Sequence, residues 1–186
     1  MIVNVAEYNA HAMQNGWPSL CDPSTRFIHP DLRRLNGAWR KLGKPGQMLK
    51  YAELPTRPIR PYMADSVLYE RQGANTARRW RVKTMGQSFA QIMGDLRGMF
   101  LDDALPSVLV PRWHASLDVT LGQPAPLRFL TRADSAKMSF LIGEYFSAPL
   151  LADDGSASLV LAVCRFTGGR SWEDVAAEAR QTLGLV

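Results

Sequence analysis

The sequence has few of the side chains from which metal sites and nucleophilic active sites are built. Its 186 residues include two cysteines and three histidines. Cys21 and Cys164 are far apart and form no CxxC pair. No histidine has another histidine, cysteine or carboxylate at the spacing of metal ligands. This scarcity argues against a metal site or a disulfide framework, and it favours two free thiols in a reducing cytoplasm.

The sequence motifs of common enzyme classes are also missing. There is no Walker A motif, no GxSxG and no GxGxxG. The adjacent pairs Asp102-Asp103 and Asp153-Asp154 are typical of a helix start and a turn, because neighbouring side chains point in different directions on a regular element. We therefore expect a protein without catalytic activity.

Long hydrophobic segments are absent as well. No run of about 18 apolar residues occurs, and the N-terminus lacks a basic region followed by a long apolar core. We therefore predict no transmembrane helix, no signal peptide, no membrane association and a cytoplasmic location. Hydrophobic residues make up 46% of the chain and charged residues 21%, which is the composition of a globular domain with a substantial core.

The most informative stretch runs from Arg78 to Pro106. Trp80 and Val82 alternate with basic residues, which is the two-residue period of a half-buried strand. Gly86 ends this strand, and a short apolar helical segment follows before Gly94. A strand that feeds several short, glycine-punctuated helices is unusual, because short helices persist only when they pack on the rest of the protein.

This stretch resembles the PAS superfamily, in particular the short PAS-like proteins that occur alone in bacterial genomes. In that family a strand ending in a small residue and glycine leads to a short helix, a glycine-polar-x-x-glycine turn and an aromatic-Leu-polar segment. The matching segments here are Met85-Gly86, Gln87 to Met93, Gly94 to Gly98, and Phe100-Leu101-Asp102. The resemblance covers residues 27–166, and it bears on the fold more than on the function.

The remaining patterns predict an α+β fold with a PAS-like, five-stranded antiparallel sheet, helices on one face, and flanking helices at both ends. The predicted strands cover residues 64–72, 78–85, 127–131, 137–147 and 158–166. A long helix covers residues 106–121, and Pro111 within it must kink or restart that helix. We expect residues 1–26 to form a flexible segment, in which a short helix remains an alternative. Residues 27–168 form a single PAS-like domain, and residues 169–186 form a C-terminal helix.

The resemblance also implies a small-molecule pocket between the sheet and the helices, as PAS domains usually have. The candidate lining residues lie on the short helices, the long helix and the fourth strand: Phe89, Ile92, Met93, Trp113, His114, Leu117, Phe140 and Ile142. An apolar stripe of this kind is more often solid core than cavity, so both interpretations stay open.

The cofactors of related sensors find little support in the sequence. Flavin-linked light sensors of this superfamily carry a cysteine on the helix after the second strand, and here that helix reads QSFAQIM. Haem-binding members place a histidine on the long helix, where His114 lies. A lone histidine there is more often structural, although a polar contact to another ligand stays open. The cofactor is therefore unknown, and we expect neither flavin nor haem.

Two amphipathic helices offer surfaces for a protein partner or a second copy of the chain. His29-Pro30-Asp31 opens a helix whose apolar stripe ends before Gly43. The tail helix begins with a sequence similar to a capping box, and it packs either on the domain core or on a partner. The candidate partner surface comprises Leu32, Leu35, Trp39, Leu42 and Trp172.

The net charge of +5 suggests an anionic partner as an alternative. Arg79, Arg81 and Lys83 alternate on one face of a predicted strand and resemble a row that contacts a phosphate backbone. Aromatic interleaving is weak, because Trp80 belongs to the opposite face. A solvated basic surface explains the row equally, so nucleic-acid or polyanion binding is the second hypothesis.

The function predicted from these features is a non-catalytic sensory or regulatory PAS-like module in bacterial signalling. A protein with no catalytic output acts by binding, so that a small ligand or another protein changes the surface that it offers.

Overall fold

The computed structural model describes residues 4–44, 46–54, 59–73, 77–134 and 137–185. The helices and strands follow in chain order: α1 (Val5–Gln14), β1 (Ser19–Asp22), α2 (Pro30–Trp39), β2 (Leu49–Lys50), β3 (Ser66–Gln72), β4 (Arg79–Met85), α3 (Gln87–Met93), α4 (Leu101–Ala104), α5 (Val110–Leu121), β5 (Leu127–Arg132), β6 (Ile142–Leu151), β7 (Ala157–Thr167) and α6 (Trp172–Leu183). The 3₁₀ turns Tyr51–Glu53 and Arg60–Asp65 precede β3.

The strands form one sheet in the order β1-β5-β6-β7-β3-β4. These neighbours pair antiparallel, and the two-residue β2 adds a parallel pairing with β6. The longest pairing joins β6 and β7, from Ile142 opposite Thr167 to Leu151 opposite Ala157. The predicted α+β class and antiparallel sheet are confirmed, but the sheet has six main strands where five were expected.

The sixth strand comes from the N-terminal segment that we predicted to be flexible. All four residues of β1 pair antiparallel with β5, and all four are buried. Helix α1 packs against β1, and Tyr8 and Cys21 are both 0% exposed. For residues 4–26 the prediction of a flexible segment is therefore wrong, and its short-helix alternative holds. Four residues are too few for a strand period to be recognised.

The free edge of β1 is closed by a side chain of α1. The Asn9 amide nitrogen donates to the Cys21 carbonyl oxygen at 2.8 Å, and the Asn9 amide oxygen accepts from the Cys21 backbone N–H at 2.8 Å. Asn9 therefore occupies the place of a further strand, and it satisfies groups that an open sheet edge leaves unpaired.

We expect Asn9→Ala to lower the free energy of unfolding by about 1–3 kcal/mol, because two backbone groups of a buried residue lose their partners. Urea denaturation measures this change. Asn15→Ala is the matched control, since the Asn15 amide bonds only at an exposed helix end, to the His11 carbonyl. Equal losses in the two variants would contradict the role of Asn9 at the sheet edge.

Helix α2 covers one face of the sheet. His29 Nδ1 accepts from the Asp31 backbone N–H at 3.2 Å, and Pro30 lies in the first turn. Trp39 contacts Phe146 of β6 edge-on, with ring centroids 5.3 Å apart. Helices α3, α4 and α5 pack on the opposite face of the sheet, and α2 is the N-terminal flanking helix of the domain.

The glycine turns predicted between the short helices are present. Gly94 and Gly98 have φ angles of 85° and 77°, a region that glycine adopts without strain. Helix α5 begins at Val110, so Pro111 lies in its first turn and restarts the helix instead of kinking it.

Helix α6 packs on β1 and β5 at the edge of the sheet. The Ser171 hydroxyl accepts from the Asp174 backbone N–H at 3.1 Å and donates to the Asp174 carboxylate at 2.7 Å, which confirms Ser171 as the N-cap of this helix. Ala176 is the buried residue of this helix. Among the residues described, none of the helices combines the length and apolarity that crossing a bilayer requires.

Candidate functional site

A cavity lies between α1, α5 and the sheet. Its walls are largely aromatic, with Tyr69, Phe129 and Tyr145 on the sheet, Trp113 on α5 and Tyr8 on α1. Smaller side chains complete the lining: Ser19, Ser116, Leu117, Thr131, Ser147 and Ala162. The volume of the cavity is about 60 Å³, which is enough to hold water.

An ion pair forms the polar part of the cavity wall. Arg112 Nη2 pairs with Asp134 Oδ2, and the two side chains are 6% and 10% exposed. The Trp113 indole N–H donates to the same carboxylate oxygen at 2.9 Å. Arg112 Nη1 is buried, and it has no hydrogen-bond partner among the residues that the structure describes. The lining thus combines apolar walls with a charge-neutral pair.

The tyrosines of the cavity are neutral phenols. Burial raises the pKa of Tyr8, Tyr69 and Tyr145 above the ordinary value for tyrosine. The Tyr8 hydroxyl lies 2.7 Å from the Ser19 hydroxyl, which joins α1 to β1 by a buried hydrogen bond. Tyr69 packs edge-on against Trp113, with ring centroids 6.0 Å apart. Tyr8 therefore connects the cavity to the N-terminal helix.

Two of the predicted pocket residues, Trp113 and Leu117, line this cavity. Phe89 and Ile92 border a separate depression together with Arg165.

The other four predicted pocket residues also lie away from the cavity. Met93 packs at the margin of the core, and Ile142 is buried in a different part of the sheet, beside Phe140. Phe140 is 65% exposed, because β6 begins only at Ile142 and Phe140 belongs to the preceding loop. His114 lies on the side of α5 that faces Asp102.

Sequence reasoning missed Tyr8, Arg112 and Asp134. The spacing of Tyr8 and Ala12, four residues apart on a helix, was a usable signal for Tyr8, since both are buried. Arg112 on α5 pairs with Asp134 in the loop after β5. Because the two residues are 22 positions apart, no local sequence pattern predicts this pair.

The described residues place neither a haem-ligating histidine in the cavity nor a flavin-reactive cysteine on α3. His114 Nε2 lies 3.2 Å from Asp102 Oδ2, and His114 is absent from the cavity lining, so it is not placed as a haem ligand. Helix α3 has no cysteine that could react with a flavin. Burial raises the pKa of the Cys21 and Cys164 thiols well above the usual value, so both remain protonated.

Most residues of the predicted partner surface are buried within the protein. Leu32, Leu35 and Trp39 are 0%, 1% and 7% exposed, because they pack on the sheet. Leu42 lies beyond the end of α2 and is half-buried, as is Trp172. The stripe on α2 is therefore core, and it is not available to a partner.

The basic row on β4 is also engaged within the chain. Arg79 pairs with Asp102 and Asp103, and its guanidinium lies 4.2 Å from the centroid of the Phe100 ring. Lys83 bonds Glu70 at 2.8 Å. The Arg81 Nε–H donates to the Gly98 carbonyl at 2.9 Å. These contacts neutralise two of the three cations and reduce what the row offers to a phosphate backbone.

No protein-family model and no curated protein matches this chain. Among solved structures, the chain is similar to a light-oxygen-voltage domain studied with a flavin analogue. The sequence identity is 13% and the TM-score 0.43, over 70% of this chain and 94% of that one.

It is also similar to a sensory box histidine kinase/response regulator from Burkholderia thailandensis E264 (16% identity, TM-score 0.37, 71% and 100% of the two chains). An RNA-binding light-oxygen-voltage receptor matches at 12% identity and a TM-score of 0.48, over 89% of this chain and 43% of that one.

Proposed function

We propose that this protein is a non-catalytic sensory or regulatory PAS-like module that binds a small molecule in the cavity between α1, α5 and the sheet. The observation that carries the proposal is the combination of aromatic walls with a buried, charge-neutral ion pair of Arg112 and Asp134. Ligand pockets typically have an apolar lining and a few oriented polar groups. A ligand here would occupy space that a solid core does not leave.

The titratable side chains support binding over catalysis. Among the described residues, no group of three or more histidines, cysteines and carboxylates could hold a metal ion. In the part of the chain that the structure describes, the serine and threonine hydroxyls of the cavity lining bond to carbonyl oxygens or to other hydroxyls, and not to a base that could activate them. The cavity is therefore suited to hold a molecule without transforming it.

The proposed output is a change in the surface offered to a protein partner or to a second copy of the chain, in the cytoplasm of a bacterium. Tyr8 links the cavity to α1, and the outer side of α1 adjoins Arg180 and Leu185 at the C-terminal end. A ligand that displaces Tyr8 alters the packing of both terminal helices. Trp172 and the exposed Phe140 border one surface depression, which offers an apolar contact to a partner.

Filling the cavity tests whether it is real. We expect Ala162→Val to change the free energy of unfolding by less than about 1 kcal/mol, because the added methyl groups enter existing space. Ala148 is the matched control: it lies on the other face of the sheet and is 0% exposed in a closed core. We expect Ala148→Val to lower the free energy of unfolding, measured by urea denaturation, by about 1–3 kcal/mol. An equal loss in both variants would mean that no cavity exists beside Ala162.

Ligand binding is tested by screening small molecules against the ¹⁵N-labelled protein, with the indole N–H signal of Trp113 as the reporter. We expect saturable shifts of this signal with some molecules, and none with Ala162→Val. If no molecule shifts the signal in the unaltered protein, the proposed function fails.

A further inference from the structure

The outer side of α2 carries a concentration of positive charge. Arg33 and Arg34 lie one turn before Gly37, and Arg40 and Lys41 lie one turn after it, at the end of the helix. Residues three and four positions apart share one side of a helix, so the four cations surround Gly37 on the same side. All five residues are exposed, and together they form the basic face of α2.

Most of this charge has no carboxylate partner within the chain. Arg34 pairs with Asp31. Arg40 donates to a neutral threonine hydroxyl at 2.9 Å, which leaves its charge uncompensated. Arg33 and Lys41 form no ion pair with any residue that the structure describes. The basic face therefore remains available to an anion, in contrast to the row on β4.

Gly37 is the second unusual feature of the basic face. Glycine in the middle of a helix is destabilising relative to alanine, because it loses more conformational freedom on folding. The fold does not require glycine here, since a Cβ atom would meet no packing neighbour within 4 Å and the φ angle is not positive. What the missing side chain permits is a close approach to the helix backbone from outside, between the flanking cations.

The composition of α2 distinguishes between anionic partners. In this helix, which the structure describes in full, the large apolar side chains are buried on the sheet: Leu32, Leu35 and Trp39. A protein interface has an apolar or aromatic core, a membrane-bound helix inserts apolar side chains, and single-stranded nucleic acid stacks on aromatic rings. The phosphate backbone of a duplex requires none of these, because cations supply the affinity.

We propose that the basic face of α2 binds the phosphate backbone of a double-stranded nucleic acid. Arg33, Arg40 and Lys41 contact phosphates, and Gly37 lies at the centre of the contact. None of these residues lines the cavity, so the inference goes beyond the proposed function and does not depend on it.

Fluorescence anisotropy with a labelled duplex of about 20 base pairs, prepared as DNA and as RNA of the same sequence, tests the proposal. With three phosphate contacts, we expect the affinity for the DNA duplex to fall about 40-fold between 50 and 200 mM salt. Replacing Arg33, Arg40 and Lys41 together by glutamine should weaken binding at the lower salt concentration at least tenfold and remove most of the salt dependence. Comparison of the two duplexes identifies the source of the phosphates.

The charge-matched control replaces three exposed cations elsewhere by glutamine: Arg60, Arg132 and Lys137. It should change the affinity less than threefold. Gly37→Gln places a long uncharged side chain in the middle of the basic face. We expect it to weaken binding at least threefold without lowering the stability to urea, because glutamine is a better helix former than glycine.

Equal weakening by the two triple variants would show that net charge alone drives binding, and it would overturn the inference. Unchanged binding by Gly37→Gln or a preference for the single strand would do the same. If polyglutamate or phosphatidylserine vesicles bind as tightly as the duplexes, the face belongs to an acidic protein or to a membrane, and the inference is wrong. Absence of binding to both duplexes at the lower salt concentration also refutes it, and leaves the proposed cavity ligand unaffected.

Discussion

Gly86→Ala should lower the free energy of unfolding by about 4 kcal/mol or more, and loss of the folded state is the expected extreme. A Cβ atom at Gly86 would lie far inside van der Waals contact of the Met63 and Ala64 carbonyl oxygens. Both obstacles belong to the backbone, so rotation of a side chain cannot relieve them. Thermal and urea denaturation of the purified variant measure the loss.

The matched control is Gly168→Ala. A Cβ atom at Gly168 would meet Leu141 Cδ2 at 3.6 Å, which is ordinary contact, and Gly168 has no positive φ. We expect Gly168→Ala to change the free energy of unfolding by no more than about 0.5 kcal/mol, the usual range for surface substitutions. If Gly86→Ala were as stable as Gly168→Ala, the close approach of the two backbone segments would be wrong.

The close approach at Gly86 joins parts of the chain that sequence patterns treat separately. The Gly86 backbone N–H donates to the Ser66 carbonyl at 2.7 Å, so the end of β4 is bonded to the start of β3. The same residue precedes α3 and caps it without a side chain. The local sequence pattern predicts Gly86 as the end of a strand. Its contact with the 3₁₀ turn Arg60–Asp65 depends on pairing across 20 residues, which no local period reports.

Predictions from the sequence held where the cause was local. The alternation in β4, the glycine after α3 and the Ser171 cap each depend on neighbours within about four residues, and each is present. They failed where burial is decided by distant segments. Leu32 and Trp39 show an apolar stripe, but the stripe cannot tell whether a sheet of the same chain or a partner covers it.

The cavity was predictable only in part for the same reason. Helical spacing placed Trp113 and Leu117 on the inner side of α5, and both line the cavity. Phe140 was misplaced because alternation in residues 138–145 was assigned to a strand that begins at Ile142. The polar side of the cavity is formed by Arg112 of α5 and Asp134 of the loop after β5. These two residues come together only in the folded chain, so the sequence did not predict their pairing.

The second large effect is expected at Arg128, which joins three distant parts of the chain. Its guanidinium pairs with Asp22 of β1 and Glu144 of β6, and the three side chains are 7%, 4% and 8% exposed. Glu144 also accepts the backbone N–H groups of Ile28 and His29, at 2.8 and 2.7 Å, and so fixes the segment that leads into α2.

Arg128→Met should therefore lower the free energy of unfolding at neutral pH by about 3–5 kcal/mol, because two buried carboxylates lose their cation. Urea denaturation measures the loss, and Arg132→Met on the same strand is the control, since Arg132 is exposed. Adding Asp22→Asn to Arg128→Met should recover part of the stability, since one uncompensated charge is removed. A loss below about 1 kcal/mol in the single variant, or no recovery in the double variant, would show that these carboxylates do not depend on Arg128.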